Sequence, residues 1–99
     1  MQQELVIRLA CASDNDAQVL RLLEHNALGD SCYTTEQLRS LLQLHGHYCY
    51  LAWIGTKPAG FCSCIETHFE PGRQLEVDLL GVLQEYRGRG IATRMITTA

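Results

Sequence analysis

The chain has 99 residues, 46% of them hydrophobic and 19% charged, with a formal net charge of −3. That composition suits one small folded domain and excludes a disordered chain. The acidic balance argues against nucleic acid as the main partner, and no apolar run reaches the ~20 residues that span a bilayer, so neither a nucleic acid nor a membrane is expected as partner.

The N-terminal stretch "MQQELVIRLACASD" has no basic segment followed by a long apolar one, so no signal peptide is expected. The five cysteines, Cys11, Cys32, Cys49, Cys62 and Cys64, form no CxxC motif. An odd, scattered set reads as reduced, buried thiols in a cytoplasmic protein, with a disulfide framework as the alternative.

Leu5 to Cys11, "LVIRLAC", is short and apolar and predicts a strand. Ser13 is placed to cap the helix that follows, with Asp16 three residues on to close a capping box. Ala17, Leu20, Leu23 and Ala27 recur at helical spacing, with Val19 and Leu22 widening the stripe, so an amphipathic helix is expected from Asp14 to about His25. "NALGDSCY" is a loop. Thr34 or Thr35 caps a second helix, with Gln37 as a box partner for Thr34. Its inner face carries Leu38, Leu41, Leu42 and His45, and Gly46 is expected to stop it.

From His47 the pattern changes. "HYCYLAWI" and "FCSCIETHF" predict two strands of a hairpin around the turn "GTKPAG", with Phe61, Ser63 and Ile65 on one face and Cys62, Cys64 and Glu66 on the other. After the turn "EPGRQ", Leu75 to Leu83 predicts a fourth strand, with Glu76 and Asp78 on one side and Val77 and Leu79 on the other. "IATRMITTA" begins a helix that runs to the chain end. The order strand, helix, helix, three strands, helix predicts an α/β (α+β) fold with a mixed, mostly antiparallel sheet, because short turns join sequential strands antiparallel. Of the four histidines, His25, His45, His47 and His68, none stands in a metal-ligand motif, and no metal is expected. Trp53 reads as a core or hairpin residue.

The stretch "LLGVLQEYRGRGIATRM", Leu79 to Met95, carries the chemistry. A strand runs through a glycine-rich turn into a helix whose first N–H groups and dipole favour an anion. Gly88 and Gly90 let the backbone approach it, and Arg87 and Arg89 add positive charge. The residues do not fit a Walker loop, which needs Lys-Ser or Lys-Thr, or a dinucleotide GxGxxG, because Thr93 stands where Gly or Ala is required. A solvated loop and an RGG-like RNA contact are the alternatives.

Arg87 to Ala92 also reads Arg-x-x-Gly-x-Ala. The stretch resembles the Gln/Arg-x-x-Gly-x-Gly/Ala signature of the GNAT superfamily of acyl-CoA-dependent N-acetyltransferases, with Gln84 where proline is frequent. The element order matches that family along the whole chain. The resemblance implies an acyl-CoA N-acyltransferase-like fold and transfer of an acetyl group from acetyl-CoA to a primary amine of a small molecule or peptide, by direct attack. It implies that the backbone of Gly88, Arg89, Gly90, Ile91, Ala92 and Thr93 holds the pyrophosphate. Leu80, Gly81 and Val82 would bind the pantetheine arm through their main chain and polarise the thioester carbonyl.

An ammonium acceptor, with a pKa of ~10.4 for lysine or ~8 for an α-amino group, gains from a base at neutral pH. In some family members a glutamate base stands at the strand position matching Glu76. Glu76 is therefore the first candidate, Asp78 the second and Glu66 the third. An exposed strand carboxylate is the bland reading of each.

The family's domain usually runs to about 150 residues, so residues 1–99 are expected to be a single, incomplete acetyltransferase domain, inactive alone. The missing part would hold the general acid. An open edge on the fourth strand would then favour a homodimer. The non-enzymatic alternative is a module that binds coenzyme A or a protein partner without turnover.

Overall fold

The computed structural model describes residues 4–29, 33–44, 46–69 and 72–98, with side chains except at 67–75 and 98. Cys32, His45 and the start of the Glu70–Gln74 turn lie outside the described residues, as does the His68 side chain. The elements run β1 (Leu5–Leu9), α1 (Asp14–Leu28), α2 (Thr35–Gln43), β2 (His47–Ile54), β3 (Lys57–Phe69), β4 (Gly72–Val82), a short 3-10 turn (Gln84–Tyr86) and α3 (Ile91–Thr98). The strands form one antiparallel sheet in the order β1-β2-β3-β4, so the expected antiparallel pairing holds for every described neighbour.

Both faces of the sheet are covered, which is why its middle strands are apolar on both sides. On one face α1 and α2 pack Ala17, Leu20, Leu23 and Leu38 against Cys49, Leu51 and Phe61. On the other, α3 sets Ile91 and Met95 against Ala52, Ala59, Cys62 and Cys64. Each of the two α3 side chains contributes about 1.5–3 kcal/mol by leaving water. That packing matters, because an isolated helix of eight residues is marginal.

Helix starts follow the sequence closely. Thr34 and Gln37 form a complete capping box: Gln37 N–H donates to Thr34 Oγ1 and Thr34 N–H to Gln37 Oε1. At α1 half of the expected box forms. Asp16 N–H donates to Ser13 Oγ, but the Asp16 carboxylate turns past Ser13 to accept from Cys11 N–H at 2.7 Å and from both Arg8 terminal nitrogens at 2.8 and 2.9 Å. Arg8 lies over the Trp53 ring, 5.4 Å from its centroid, and so fixes β1 to both α1 and β2.

Helix ends differ from expectation. α1 continues to Leu28 and stops at Gly29 in the left-handed conformation. α2 ends at Gln43 with an extended Leu44, so Gly46 does not stop it. With φ 82°, Gly46 instead turns the chain into β2. The predicted hairpin turn shrinks to Gly55-Thr56, because Lys57–Gly60 already pairs with β2 around a bulge at Ala59.

The largest correction is in β4. Glu76 pairs with Ile65, Val77 with Cys64 and Leu79 with Ser63, which leaves Asp78 as an extra residue. Alternation breaks there. Glu76 and Leu79 therefore share the face of Phe61, whereas Val77 and Leu80 share the face of Cys62. Three of the cysteines are buried as expected, but Cys11 is exposed.

Candidate functional site

Two cavities flank β4. The first, about 440 Å³, lies where the end of β4, the loop after it, the start of α3 and the end of α1 meet. Its walls bring together Leu80, Gly81, Val82, Arg87, Gly88, Gly90, Ile91, Ala92 and Thr93, with Ala27, Leu28 and Tyr86. Of the residues expected to hold a coenzyme, Arg89 alone stands off: it is exposed and stacks on the Tyr86 ring at 5.4 Å.

The loop geometry suits an anion. Gly88 and Gly90 have φ of 81° and 77°, a region closed to most side chains, and a Cβ on either would meet no atom within 4 Å. Their conformation, not crowding, requires glycine, and the space above them is open. The first intrahelical bond runs from Arg94 N–H to Gly90 C=O, so the N–H groups of Ile91, Ala92 and Thr93 precede the helical ladder. These donors, the helix dipole and the open cradle together fit a pyrophosphate.

Arg87, expected to add positive charge at the loop, directs its guanidinium to two backbone carbonyls. Its Nε donates to Val82 C=O at 2.9 Å and its Nη2 to Ala27 C=O at 3.1 Å. The second bond satisfies a last-turn carbonyl of α1 and brings a cation to the negative end of that helix.

Gly81 is required for packing. A Cβ there would lie 2.6 Å from Phe61 Cε1 and 3.1 Å from Ala27 Cβ. The Gly81→Ala chain is expected to lose about 1–3 kcal/mol of stability through overpacking. Urea unfolding checks this; an unchanged midpoint would mean that α1 shifts freely.

The second cavity, about 360 Å³, lies under α1 and α2 on the other side of the bulge. Leu20, Leu38, Leu41, Phe61 and Leu79 line it, along with the polar residues Glu24, Tyr33, His47, Ser63, Glu66 and Asp78 and, among the described residues, no lysine or arginine. Ser63 Oγ and His47 Nε2 are 2.9 Å apart, while His47 Nδ1 is buried without a hydrogen-bond partner among the described residues. Asp78 thus borders this cavity, and Glu66, whose Oε2 lies 3.4 Å from Tyr48 Oη, sits at its rim. Glu76 is exposed on the strand and lines neither cavity.

Glu24, His47 and Ser63 were missed from sequence. The signal for Glu24 was present: it falls four residues after Leu20 and seven after Ala17, an acid on the buried stripe of α1, and it is 3% exposed. Among the described residues no three His, Cys, Asp or Glu side chains converge as metal ligands, and no described helix is long and apolar enough to cross a membrane.

The model of the GNAT acetyltransferase family matches residues 15–99. Solved structures with this fold include a ribosomal-protein-alanine N-acetyltransferase from Brucella melitensis biovar Abortus 2308, at 24% identity and a TM-score of 0.78, covering 96% of this chain and 68% of that one. An aminoglycoside acetyltransferase from an uncultured soil metagenomic sample, in complex with sisomicin, has 20% identity and a TM-score of 0.78, with 95% and 66% covered. An aminoglycoside N-acetyltransferase in complex with CoA has 16% identity and a TM-score of 0.81, with 99% and 68% covered. The chain spans about two thirds of the length of these structures. A search of the curated proteins finds no match.

Proposed function

The chain belongs to the GNAT acetyltransferase family, and from that premise we propose that it moves an acetyl group from acetyl-CoA to a primary amine by direct attack. The observation that carries this reading is the open cradle over Gly88 and Gly90 at the start of α3, in a cleft shared with the end of β4. The cleft takes the acyl donor: its N–H groups hold the pyrophosphate, and the main chain of Leu80, Gly81 and Val82 aligns the pantetheine arm. A β4 N–H directed at the thioester oxygen stabilises the charge that develops there.

The cavity under α1 and α2 takes the acceptor. Its carboxylates, Glu24, Glu66 and Asp78, favour a cationic amine of small-molecule or peptide origin. The amine nitrogen attacks the carbonyl carbon, the C–S bond breaks, and the coenzyme leaves as thiolate while the nitrogen sheds a proton. Of the two β4 carboxylates, Asp78 borders the acceptor cavity and is assigned the base. Asp78→Asn should lower the rate of amine acetylation about tenfold to 100-fold at neutral pH with acetyl-CoA affinity unchanged, and Glu76→Gln should leave the rate within about twofold. Thiol-release kinetics across pH decide between them; a selective loss in the Glu76 variant would transfer the role to that residue.

The second reading is a module that binds the coenzyme in the same cleft without turnover. Calorimetric titration of acetyl-CoA followed by thiol release with a panel of amines tests both. Binding with turnover supports the enzyme, binding alone the module, and no binding removes the cleft from either.

A further inference from the structure

The cavity under α1 and α2 has a neighbour. A second hollow lies along α2, bordered by Tyr33, Leu41 and Leu44 with Glu36, Gln37 and Ser40. Tyr33, Leu41 and Leu44 also line the first cavity, so the two hollows adjoin at these three side chains. Leu38 and Leu41 stand one helical turn apart on the same side of α2, and Leu44 continues the row just past its end. At the junction Tyr33 is 41% exposed and Leu44 56%, so apolar surface faces water where the hollows meet.

The floor is apolar and its charge lies at one end. Leu20, Leu38, Phe61 and Leu79 form most of the inner wall. The polar pair set among them, Ser63 Oγ and His47 Nε2, is already hydrogen-bonded within itself at 2.9 Å. Negative charge enters beside β4, from Asp78 at the bulge and Glu24 on α1.

Such a wall selects by what stands behind the amine. A polyhydroxylated amine would turn hydroxyl groups towards leucine and phenylalanine side chains and lose hydrogen bonds to water without replacing them. A hydrocarbon chain loses none, and each methylene that leaves water adds to affinity. An anion of the same shape meets Asp78 and Glu24 and is repelled.

We propose that the acceptor is a primary amine on an unbranched apolar chain. Its ammonium sits beside Asp78 and Glu24, and its chain runs along Leu38 and Leu41 and leaves between Tyr33 and Leu44. This names the substrate class of the acceptor site and rests on the assignment of that cavity to the acceptor.

The test titrates butylamine, hexylamine and octylamine into the folded chain at neutral pH, without acetyl-CoA, and follows binding by calorimetry. Kd should fall about two- to fourfold per methylene, the upper figure corresponding to full burial, so octylamine should bind at least about 16-fold more tightly than butylamine. Octanoate, of equal length and opposite charge, and glucosamine should each bind at least tenfold more weakly than octylamine. Leu44→Ser, at an exposed position beyond the end of α2, should at least halve the gain from hexylamine to octylamine. The series on the unaltered chain stands without it if that variant misfolds.

A flat series or no binding would overturn the proposal. So would octanoate or glucosamine binding as tightly as octylamine, or an undiminished gain in the Leu44 variant. Thiol release from acetyl-CoA, measured separately, keeps the two readings apart. Release with glucosamine alongside a flat series retains acetyl transfer and removes the apolar acceptor. A steep series in a chain that releases no thiol retains the ligand class and removes the transfer.

Discussion

Titration of acetyl-CoA into a Gly90→Asp chain is expected to give a Kd about 10³-fold weaker than that of the unaltered chain. Gly90 has φ 77°; a residue with a Cβ relaxes from it in the free chain, and restoring it on binding costs roughly 1–2 kcal/mol. The added side chain meets no atom within 4 Å, so folding is spared a clash and the carboxylate projects into the open cradle. An anion at a helix N-terminus is itself favourable, and the apo chain tolerates it. The coenzyme then meets a negative charge where it expects donors, for a further loss of about 2 kcal/mol. Together these approach 4 kcal/mol, or about three orders of magnitude in Kd. Gly90→Ala carries the conformational part alone and should weaken binding about tenfold. Equal losses in the two variants would mean that no phosphate lies at this loop, and two unchanged affinities would remove the loop from the coenzyme site altogether.

The largest expected loss of stability comes from Asp16→Ala. Asp16 is 3% exposed and accepts three hydrogen bonds, two from Arg8 and one from Cys11 N–H. Removing one partner of a buried pair typically costs 3–5 kcal/mol. The Arg8 side chain keeps 39% of its surface in water, which rehydrates the orphaned guanidinium and places the cost near 3 kcal/mol. In a domain of this size the melting midpoint should fall by about 15 °C.

The same pair gives stability a pH dependence of known sign. Hydrogen bonds from Arg8, opposed by burial and aided by Cys11 N–H, hold the Asp16 carboxyl below the usual carboxylate range. A group with a lowered folded pKa binds fewer protons when folded. Its contribution is therefore complete above the unfolded value of ~3.9 and is lost as pH falls through the folded one. Melting of the unaltered chain from pH 7 towards pH 2 should show this decline, and Asp16→Ala should flatten it. Equal acid slopes in the two chains would assign the decline to other carboxylates.

Local features of this fold were legible in the sequence, and pairwise ones were not. The stripe of Ala17, Leu20, Leu23 and Ala27, the Thr34–Gln37 box and the glycine loop depend on neighbours a few residues apart, and each stands where its chemistry put it. Register depends on a partner strand. Alternation alone put Glu76 beside Asp78, and only pairing with Ile65, Cys64 and Ser63 shows the extra residue that separates them. Asp16 read as a box partner because Arg8, five residues before Ser13, could not be placed beside it. The two cavities combine residues from α1, β2, β3 and β4, which no spacing rule brings together.

Arg87 reaches 60 positions back along the chain, holding Ala27 near the end of α1 and Val82 at the end of β4 through a single planar group. One side chain cannot release both carbonyls without freeing the loop and the helix end together. The loop borders the cavity at the start of α3, while α1 carries Leu20 and Glu24 into the cavity under α1 and α2. Movements of the loop and of the end of α1 are therefore tied together through this one guanidinium.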